Sequence, residues 1–265
     1  MRTRLGKRKV TQMREKIQAR LRRIEEEENI KILLAVESGS RAWGFASPDS
    51  DYDVRFIYIR RKEDYLRLDP VRDVIELPID EVLDINGWDV QKALRLLYKS
   101  NPTLFEWCSS PIVYREAEFA DKFRNLMIHY FSPKRTVYHY LSMAEGNYRE
   151  YLKGDIVRAK KYFYVLRPVL ACRWILDRRT PPPMLFSELM KAELPAELIG
   201  AVDQLLELKM NSTEMKFIPK ITVVNEYLDK SITSIKSAVR TLNDGHMSDW
   251  NELDQLFLQE LMNRK

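Results

Sequence analysis

Cysteine and histidine are scarce in this chain, which has two cysteines and three histidines among 265 residues. Cys108 and Cys172 lie far apart in apolar helical patterns, and no Cys/His spacing is suited to zinc. These absences exclude a disulfide-rich secreted domain and a zinc module, and they are typical of a protein of the reducing cytoplasm.

Long apolar runs are also missing. No stretch of the sequence approaches the about 20 apolar residues that span a bilayer. The first ten residues, MRTRLGKRKV, lack the apolar centre of a secretory signal. We therefore expect a soluble, cytoplasmic protein with no membrane partner.

The net charge of +5 is unevenly distributed, since residues 1–23 carry ten Lys/Arg and one acid, Glu15. In the same segment Met13, Ile17, Leu21 and Ile24 recur at helical spacing, which predicts an amphipathic helix packed on the core. The basic residues form either a solvated face or an arm that contacts an RNA backbone. Both readings are compatible, because one face of a helix can pack while the other binds phosphate.

The most informative segment is ESGSRAWGFASPDSDYDVRFIYI, residues 37–59, in which a Gly-Ser turn precedes two aspartates of a predicted strand. Side chains two residues apart on a strand face the same side, so Asp51 and Asp53 project together. Two such carboxylates repel each other unless they are protonated or bind a cation. Mg²⁺ is the hard cation that carboxylates and substrate phosphates usually hold.

These residues resemble the DNA polymerase β-like nucleotidyltransferase superfamily, whose pattern is a hydrophobic residue, Gly and Gly/Ser, followed by acid-x-acid. Gly39-Ser40 and Asp51-Tyr52-Asp53 match this pattern. The strings DINGWDVQKALRLL, NPTLFEW and KKYFYVLRP, together with the motif segment, are similar to a predicted nucleotidyltransferase branch associated with RNA ligase in RNA repair. The resemblance implies that Gly39 and Ser40 contact the β- and γ-phosphates of an NTP.

A third carboxylate commonly completes a two-metal site for phosphoryl transfer, with two Mg²⁺ or Mn²⁺ ions. Asp84 is the first candidate, because it lies on the predicted strand EVLDING after a gap that allows one antiparallel return beside the Asp51/Asp53 strand. Asp89 is the rival, although its position also suits a helix N-cap. Arg41 and Arg55 are placed to bind phosphate or to neutralise the aspartates.

A later helix, predicted over residues 156–177, carries Lys160, Tyr164 and Arg167 on one stripe, with Lys161 at the border of the apolar side. In relatives of the superfamily, a lysine of the helical domain grips the triphosphate and an aromatic residue holds the base. The resemblance therefore implies that these four residues bind the nucleotide; the alternative is a solvated basic face.

Apolar runs with β-branched residues up to about residue 90, followed by helical periodicity, predict an α+β fold with a small mixed sheet. We expect a catalytic domain over residues 1–115, with the basic helix at its start, and an all-helical domain over residues 116–265 that binds nucleotide and substrate. Residues 250–261 carry apolar positions that we expect to close the helical bundle.

The expected function is metal-dependent transfer of NMP from an NTP to a hydroxyl with release of pyrophosphate. The family resemblance suggests an RNA 3′ end as the acceptor, in template-independent repair alongside an RNA ligase. Two rivals stay open. The first is nucleotidyl transfer, such as AMPylation, to a protein or a small molecule. The second is a non-catalytic nucleotide- or RNA-binding module, which the intact Asp51/Asp53 pair disfavours.

Overall fold

A computed structural model describes residues 4–69, 71–80, 82–211, 216–243 and 249–264. Arg2, part of the predicted basic arm, lies outside these residues. The described part is mixed α and β, as the sequence predicts. None of its helices combines the length and the apolarity needed to cross a bilayer.

Five strands of the described chain form one mixed sheet in the order β3-β4-β2-β1-β5. Their bounds are β1 Lys31–Glu37, β2 Tyr52–Ile59, β3 Val74–Glu76, β4 Leu83–Asp89 and β5 Val113–Glu116. β2 pairs antiparallel with β1 and parallel with β4. The expected antiparallel return beside β2 is therefore wrong, because β3 pairs with the outer side of β4 and lies at the sheet edge.

Helices surround this sheet and make up most of the rest of the chain. The early helices are α1 Arg4–Glu28, α2 Gly39–Ala42, α3 Lys62–Tyr65, α4 Val90–Tyr98, α5 Pro102–Cys108 and α6 Glu118–Met127. The later ones are α7 Pro133–Tyr151, α8 Ala159–Arg178, α9 Phe186–Glu193, α10 Ala196–Asn211, α11 Thr222–Arg240 and α12 Asn251–Met262. Asn101 and Ser132 are the N-caps of α5 and α7, since they accept hydrogen bonds from Thr103 N and Arg135 N.

The two faces of the sheet pack against different helices. Val54, Phe56 and Tyr58 of β2 share a buried cluster with the apolar stripe of α1, which confirms the amphipathic helix. Ile57 and Ile59 pack on the opposite side with α4, α5 and α6. Because side chains alternate along a strand, Asp53 and Arg55 project to this second side, away from α1.

Two expectations about the later chain are wrong. Residues 156–158 are not helical: they form the strand β6 (Ile156–Arg158), which pairs antiparallel with β7 (Phe217–Pro219). Two β-branched residues before Arg158 favour a strand there, and α8 starts only at Ala159. α12 does not close the helical layer of α7, α8 and α11; its Leu253 and Leu256 pack into the cluster that holds α4 and α6. The division at residue 115 stays a prediction.

Candidate active site

The Gly-Ser turn after β1 is built around a carboxylate. Gly39 has a φ of +58°, a conformation that favours glycine. A Cβ atom at this position would lie 2.0 Å from Asp53 Oδ2, so a side chain at residue 39 would collide with the carboxylate. The backbone closes the contact, because Ser38 N donates to the carbonyl of Asp53 at 2.8 Å. The glycine of the motif is thus required by a close approach as well as by its backbone angle.

Asp53, Asp84 and Arg55 converge on the side of the sheet opposite to α1, near the Gly-Ser turn. Asp53 of β2 and Asp84 of β4 are register partners, so their side chains leave neighbouring strands on the same face. Arg55 Nη2 donates to Asp53 Oδ1 at 3.2 Å and to Asp84 Oδ2 at 2.6 Å. Arg55 Nη1 also donates to the carbonyl of Asp84 at 2.8 Å. The structure thus brings these three predicted residues together.

Asp51 lies just before β2 with an exposed side chain, and its backbone is held by Arg41. Arg41 Nε donates to the carbonyl of Asp51 at 2.9 Å, and Nη2 donates to the carbonyl of Ser50 at 2.5 Å. The guanidinium lies 3.7 Å from the ring centroid of Tyr52. Arg41 therefore fixes the turn that leads into Asp51, while a contact with phosphate stays a prediction.

The electrostatics of the site suit a cation. Burial raises the pKa of Asp53; the Arg55 guanidinium opposes this, and the Asp84 and Asp51 carboxylates reinforce it. Carboxylate oxygens are the donors that Mg²⁺ and Mn²⁺ prefer, so the chemistry of this donor set fits such an ion. Within the described residues no three His, Cys, Asp or Glu side chains are grouped as metal ligands. In the structure, the positive charge that lies between the side chains of Asp53 and Asp84 is the Arg55 guanidinium, which donates to both.

Asp89, the rival third carboxylate, belongs to a different structure. It is the N-cap of α4, where Oδ1 accepts a hydrogen bond from Gln91 N at 2.8 Å. Its Oδ2 accepts from the Tyr65 hydroxyl at 2.8 Å. β4 begins at Leu83, the register partner of Tyr52. Asp89 lies six positions later, at the other end of the strand. Its side chain is thus occupied in capping and lies away from Asp53.

A buried acid that the sequence analysis did not single out binds the backbone of Asp53. Glu37, the last residue of β1, is fully buried. Its Oε1 accepts from Asp53 N at 2.8 Å, and its Oε2 accepts from the Tyr114 hydroxyl. Burial raises the pKa of Glu37 to about 7. The only signal in the sequence is an acid placed directly between an apolar strand and the Gly-Ser turn.

A buried lysine that sequence reasoning also missed reaches the site from the helical layer. Lys209 of α10 is 5% exposed, and its Nζ donates to Ser47 Oγ at 2.8 Å and Ser50 Oγ at 3.3 Å. The Ser40 hydroxyl donates to Ser50 Oγ at 3.2 Å, so one network joins the ammonium to the Gly-Ser turn. The loop between Ser40 and Asp51 is thus held by a residue of α10.

Aromatic residues anchor the same loop in the helical layer. Phe45 packs on Phe163 and Phe186, with ring centroids 4.9 and 5.4 Å away. The carbonyl of Trp43 accepts from Phe186 N at 3.0 Å. The segment that links the turn to Asp51 is therefore fixed by ring packing at Phe45 and by hydrogen bonds at Ser47 and Ser50.

The α8 residues predicted to bind nucleotide divide into two groups. Lys160, Lys161 and Tyr164 are partly exposed, and Lys161 Nζ lies 3.6 Å from the ring centroid of Tyr151. Arg167 does not share this exposure, and its role in nucleotide binding stays a prediction. It is 2% exposed, and its Nη1 donates to Glu106 Oε1 at 2.6 Å.

Arg167 nevertheless lies near the site. Its guanidinium is 4.7 Å from the ring centroid of Trp43, which follows the Gly-Ser turn. Glu106 neutralises its charge and also accepts from the Tyr140 hydroxyl at 2.6 Å. A buried, paired arginine of this kind orders the helices that it joins, so we assign it to the support of Trp43.

Comparison with known proteins gives one family and one full-length relative. The sequence profile of RlaP, described as "RNA repair pathway DNA polymerase beta family", matches residues 13–259. A Bacillus subtilis (strain 168) protein, "Uncharacterized protein YcgL", is 48% identical over 249 residues, which are 93% of this chain and 95% of that protein.

A solved structure also aligns with the chain. It is a nucleotidyltransferase-like protein from Exiguobacterium sibiricum 255-15, with 12% identity and a TM-score of 0.32 over 94% of this chain and 80% of that chain. The two sequence matches are the basis for placing the chain among known proteins.

Proposed function

Because this chain belongs to the RlaP family, the RNA repair pathway DNA polymerase beta family, we propose that it transfers NMP from an NTP to the 3′ hydroxyl of an RNA. The hydroxyl oxygen bonds to the α-phosphorus, the bond from that phosphorus to the β-phosphate oxygen breaks, and pyrophosphate and the hydroxyl proton leave. We also propose that the protein works in repair with an RNA ligase. One observation carries the proposal: Asp53 and Asp84 are in register on neighbouring strands, and Asp53 lies against Gly39, where both the positive φ and the approach of the carboxylate require glycine.

The acidic residues have a defined part in this reaction. Asp51, Asp53 and Asp84 would hold two Mg²⁺ or Mn²⁺ ions, which supply neutralisation of the triphosphate and lower the pKa of the attacking hydroxyl. Arg55 holds the side chains of Asp53 and Asp84 together, since its guanidinium donates a hydrogen bond to each. Glu37 fixes Asp53 through the backbone N–H at the start of β2.

The phosphates of the NTP would lie beside the Gly-Ser turn. Gly39 and Ser40 form this turn, and Ser40 supplies a hydroxyl. Lys209 places a positive charge in the serine network that joins Ser40 to the loop before Asp51. Lys160, Lys161 and Tyr164 are the partly exposed residues of α8 for the outer part of the nucleotide.

The test is label transfer from α-³²P-labelled NTPs by the purified full-length protein with Mg²⁺ or Mn²⁺. Parallel reactions contain a panel of RNAs with different 3′ ends, no RNA, or a protein extract. We expect label on RNA, lengthened by whole nucleotides. Label on protein in the reaction without RNA would support transfer to a protein instead, and no label on any acceptor would contradict the proposal.

A further inference from the structure

A small surface beside the start of α8 combines exposed aromatic rings with basic side chains. We call it the aromatic–basic surface and define it by Tyr151, Arg158, Lys161, Tyr164 and Phe217. Phe217 lies on the two-stranded sheet of β6 and β7, and the guanidinium of its register partner Arg158 lies 5.3 Å from its ring centroid. The Phe217 side chain is 56% exposed. An exposed ring flanked by a guanidinium is a place where a flat ligand can stack.

The second part of this surface is formed by the end of α7 and the first turns of α8. Lys161 Nζ lies 3.6 Å from the ring centroid of Tyr151 and 4.7 Å from that of Tyr164. Both tyrosines are partly exposed. Ala159 N donates to the carbonyl of Lys216 at 3.1 Å, which joins α8 to the residue before Phe217. The two aromatic groups are therefore carried by backbone segments that are hydrogen-bonded to each other.

The charge of this region fits a polyanion. The segments 149–161 and 216–220 contain seven basic residues and two acidic ones. The basic residues are Arg149, Lys153, Arg158, Lys160, Lys161, Lys216 and Lys220, and the acids are Glu150 and Asp155. Aromatic faces for bases and a basic surround for phosphates are the features that bind single-stranded nucleic acid without dependence on sequence.

The position of the surface relative to the candidate site also matters. Arg167, which stacks on Trp43 beside the Gly-Ser turn, is eight residues after Ala159 on α8. Lys161 and Tyr164 of the surface precede Arg167 on the same helix by six and three residues, which is about 9 Å and about 4.5 Å along the helix axis. The aromatic–basic surface therefore shares helix α8 with the arginine that contacts Trp43 beside the Gly-Ser turn. By contrast, α1 covers the face of the sheet opposite to Asp53.

We propose that the aromatic–basic surface binds the single-stranded segment of the acceptor RNA next to its 3′ end. Phe217 and Tyr151 stack on unpaired bases, and Arg158 and the surrounding basic residues contact phosphates. Lys161 and Tyr164, at the border of this surface, stay assigned to the nucleotide. This inference rests on the proposed function in that the acceptor is RNA. If this surface bound a protein partner instead, removal of the rings would leave the affinity for RNA unchanged.

The test is fluorescence anisotropy of a 5′-labelled single-stranded RNA with the full-length protein, without NTP or metal. Phe217→Ala and Phe217→Leu should each weaken binding about tenfold, because each removes one stacking ring. Phe217→Tyr should keep wild-type affinity. Tyr138→Ala is the matched control, since Tyr138 is 45% exposed and lies 13 residues before Tyr151, about 20 Å along α7.

Two further measurements distinguish base stacking from electrostatic binding: the dependence of RNA affinity on salt, and the affinity for duplex compared with single-stranded RNA. The loss in Phe217→Ala should persist at all salt concentrations, whereas Arg158→Gln should lower the slope of log K against log salt by about 0.7. A duplex of the same sequence should bind more weakly than the single strand. Melting of each variant by circular dichroism verifies that it is folded.

Three results would overturn the proposal, and they have different meanings. Equal RNA affinity of wild type, Phe217→Ala and Phe217→Leu would remove this surface from RNA binding and leave the proposed transfer intact. Equal affinity for duplex and single strand would exclude stacking on unpaired bases. No RNA binding by wild type would exclude the surface and RNA as acceptor together, while label transfer to another acceptor remains separately measurable.

Discussion

Aspartates that look alike in the sequence have different positions and contacts in the structure. Asp53 and Asp84 share Arg55 on the face of the sheet opposite to α1, and Asp89 caps α4. The prediction that Asp51 and Asp53 project together placed both on a strand, whereas β2 begins at Tyr52, so their pairing stays a prediction. The preference for Asp84 over Asp89 agrees with their observed positions. Their roles as metal ligands stay predictions. The approach of Asp53 to Gly39 was not predictable, because it depends on how β1 and β2 pair.

Asp84→Ala and Asp89→Ala should separate these roles. Asp84→Ala should lower the transfer rate at least about a hundredfold, since a lost metal ligand removes several kcal/mol of transition-state stabilisation. Its unfolding free energy should change little, because two repelling carboxylates become one. Asp89→Ala should lose about 0.5–2 kcal/mol of stability with the cap and keep its transfer rate per folded molecule. Urea unfolding and label transfer measure both; an inactive, stable Asp89→Ala would reverse the assignment.

Glu37 should make the stability of the protein depend on pH. Burial raises the pKa of Glu37 from 4.5 to about 7. Between these values the unfolded chain loses the Glu37 proton and the folded chain keeps it, so the unfolding free energy falls as pH rises. Glu37→Gln, which has no proton to lose, should show a smaller fall between pH 4.5 and 7. Urea titrations across this range test it, with Glu26→Gln, an exposed position on α1, as control; identical slopes for wild type and Glu37→Gln would contradict the account.

At the level of elements, the loop from Trp43 to Ser50 is fixed by helices far along the chain. The sequence predicted the strands on either side of this loop, because their apolar runs and turns are local signals. It could not predict the contact of Lys209 with Ser47, which spans 162 residues. The strand at residues 156–158 was missed for the same reason, since its partner is residues 217–219.

Lys209→Met should show whether this loop matters for the reaction. Methionine keeps most of the volume of lysine and removes the ammonium, so the Ser40–Ser50 network loses its positive charge. We expect the transfer rate per folded molecule to fall at least about tenfold, the effect of about 1.4 kcal/mol. Lys191→Met, at an exposed position of α9, is the control. Equal transfer rates for Lys209→Met and Lys191→Met would mean that Lys209 contributes to packing only and not to the reaction.

At the scale of the whole molecule, the site lies where the sheet meets the helical layer. The carboxylates and the turn come from the first strands, while Lys209, Phe163 and Arg167 reach the same loop from α8 and α10. The α+β class was predictable from the change in periodicity along the chain. The return of α12 to α4 and α6 was not, because amphipathic helices carry no local mark of the surface on which they pack.

The central claim is that the carboxylates beside the Gly-Ser turn support nucleotidyl transfer, and Asp53→Asn tests it most directly. The substitution keeps the shape of the side chain and removes its charge, and Asp69→Asn, an exposed aspartate paired with Arg67, is the matched control. Both variants and wild type are compared for the rate of label transfer from α-³²P-labelled NTP to RNA. We predict that Asp69→Asn matches wild type and that Asp53→Asn loses at least about a hundredfold while remaining folded. Equal transfer by Asp53→Asn and wild type would contradict the account.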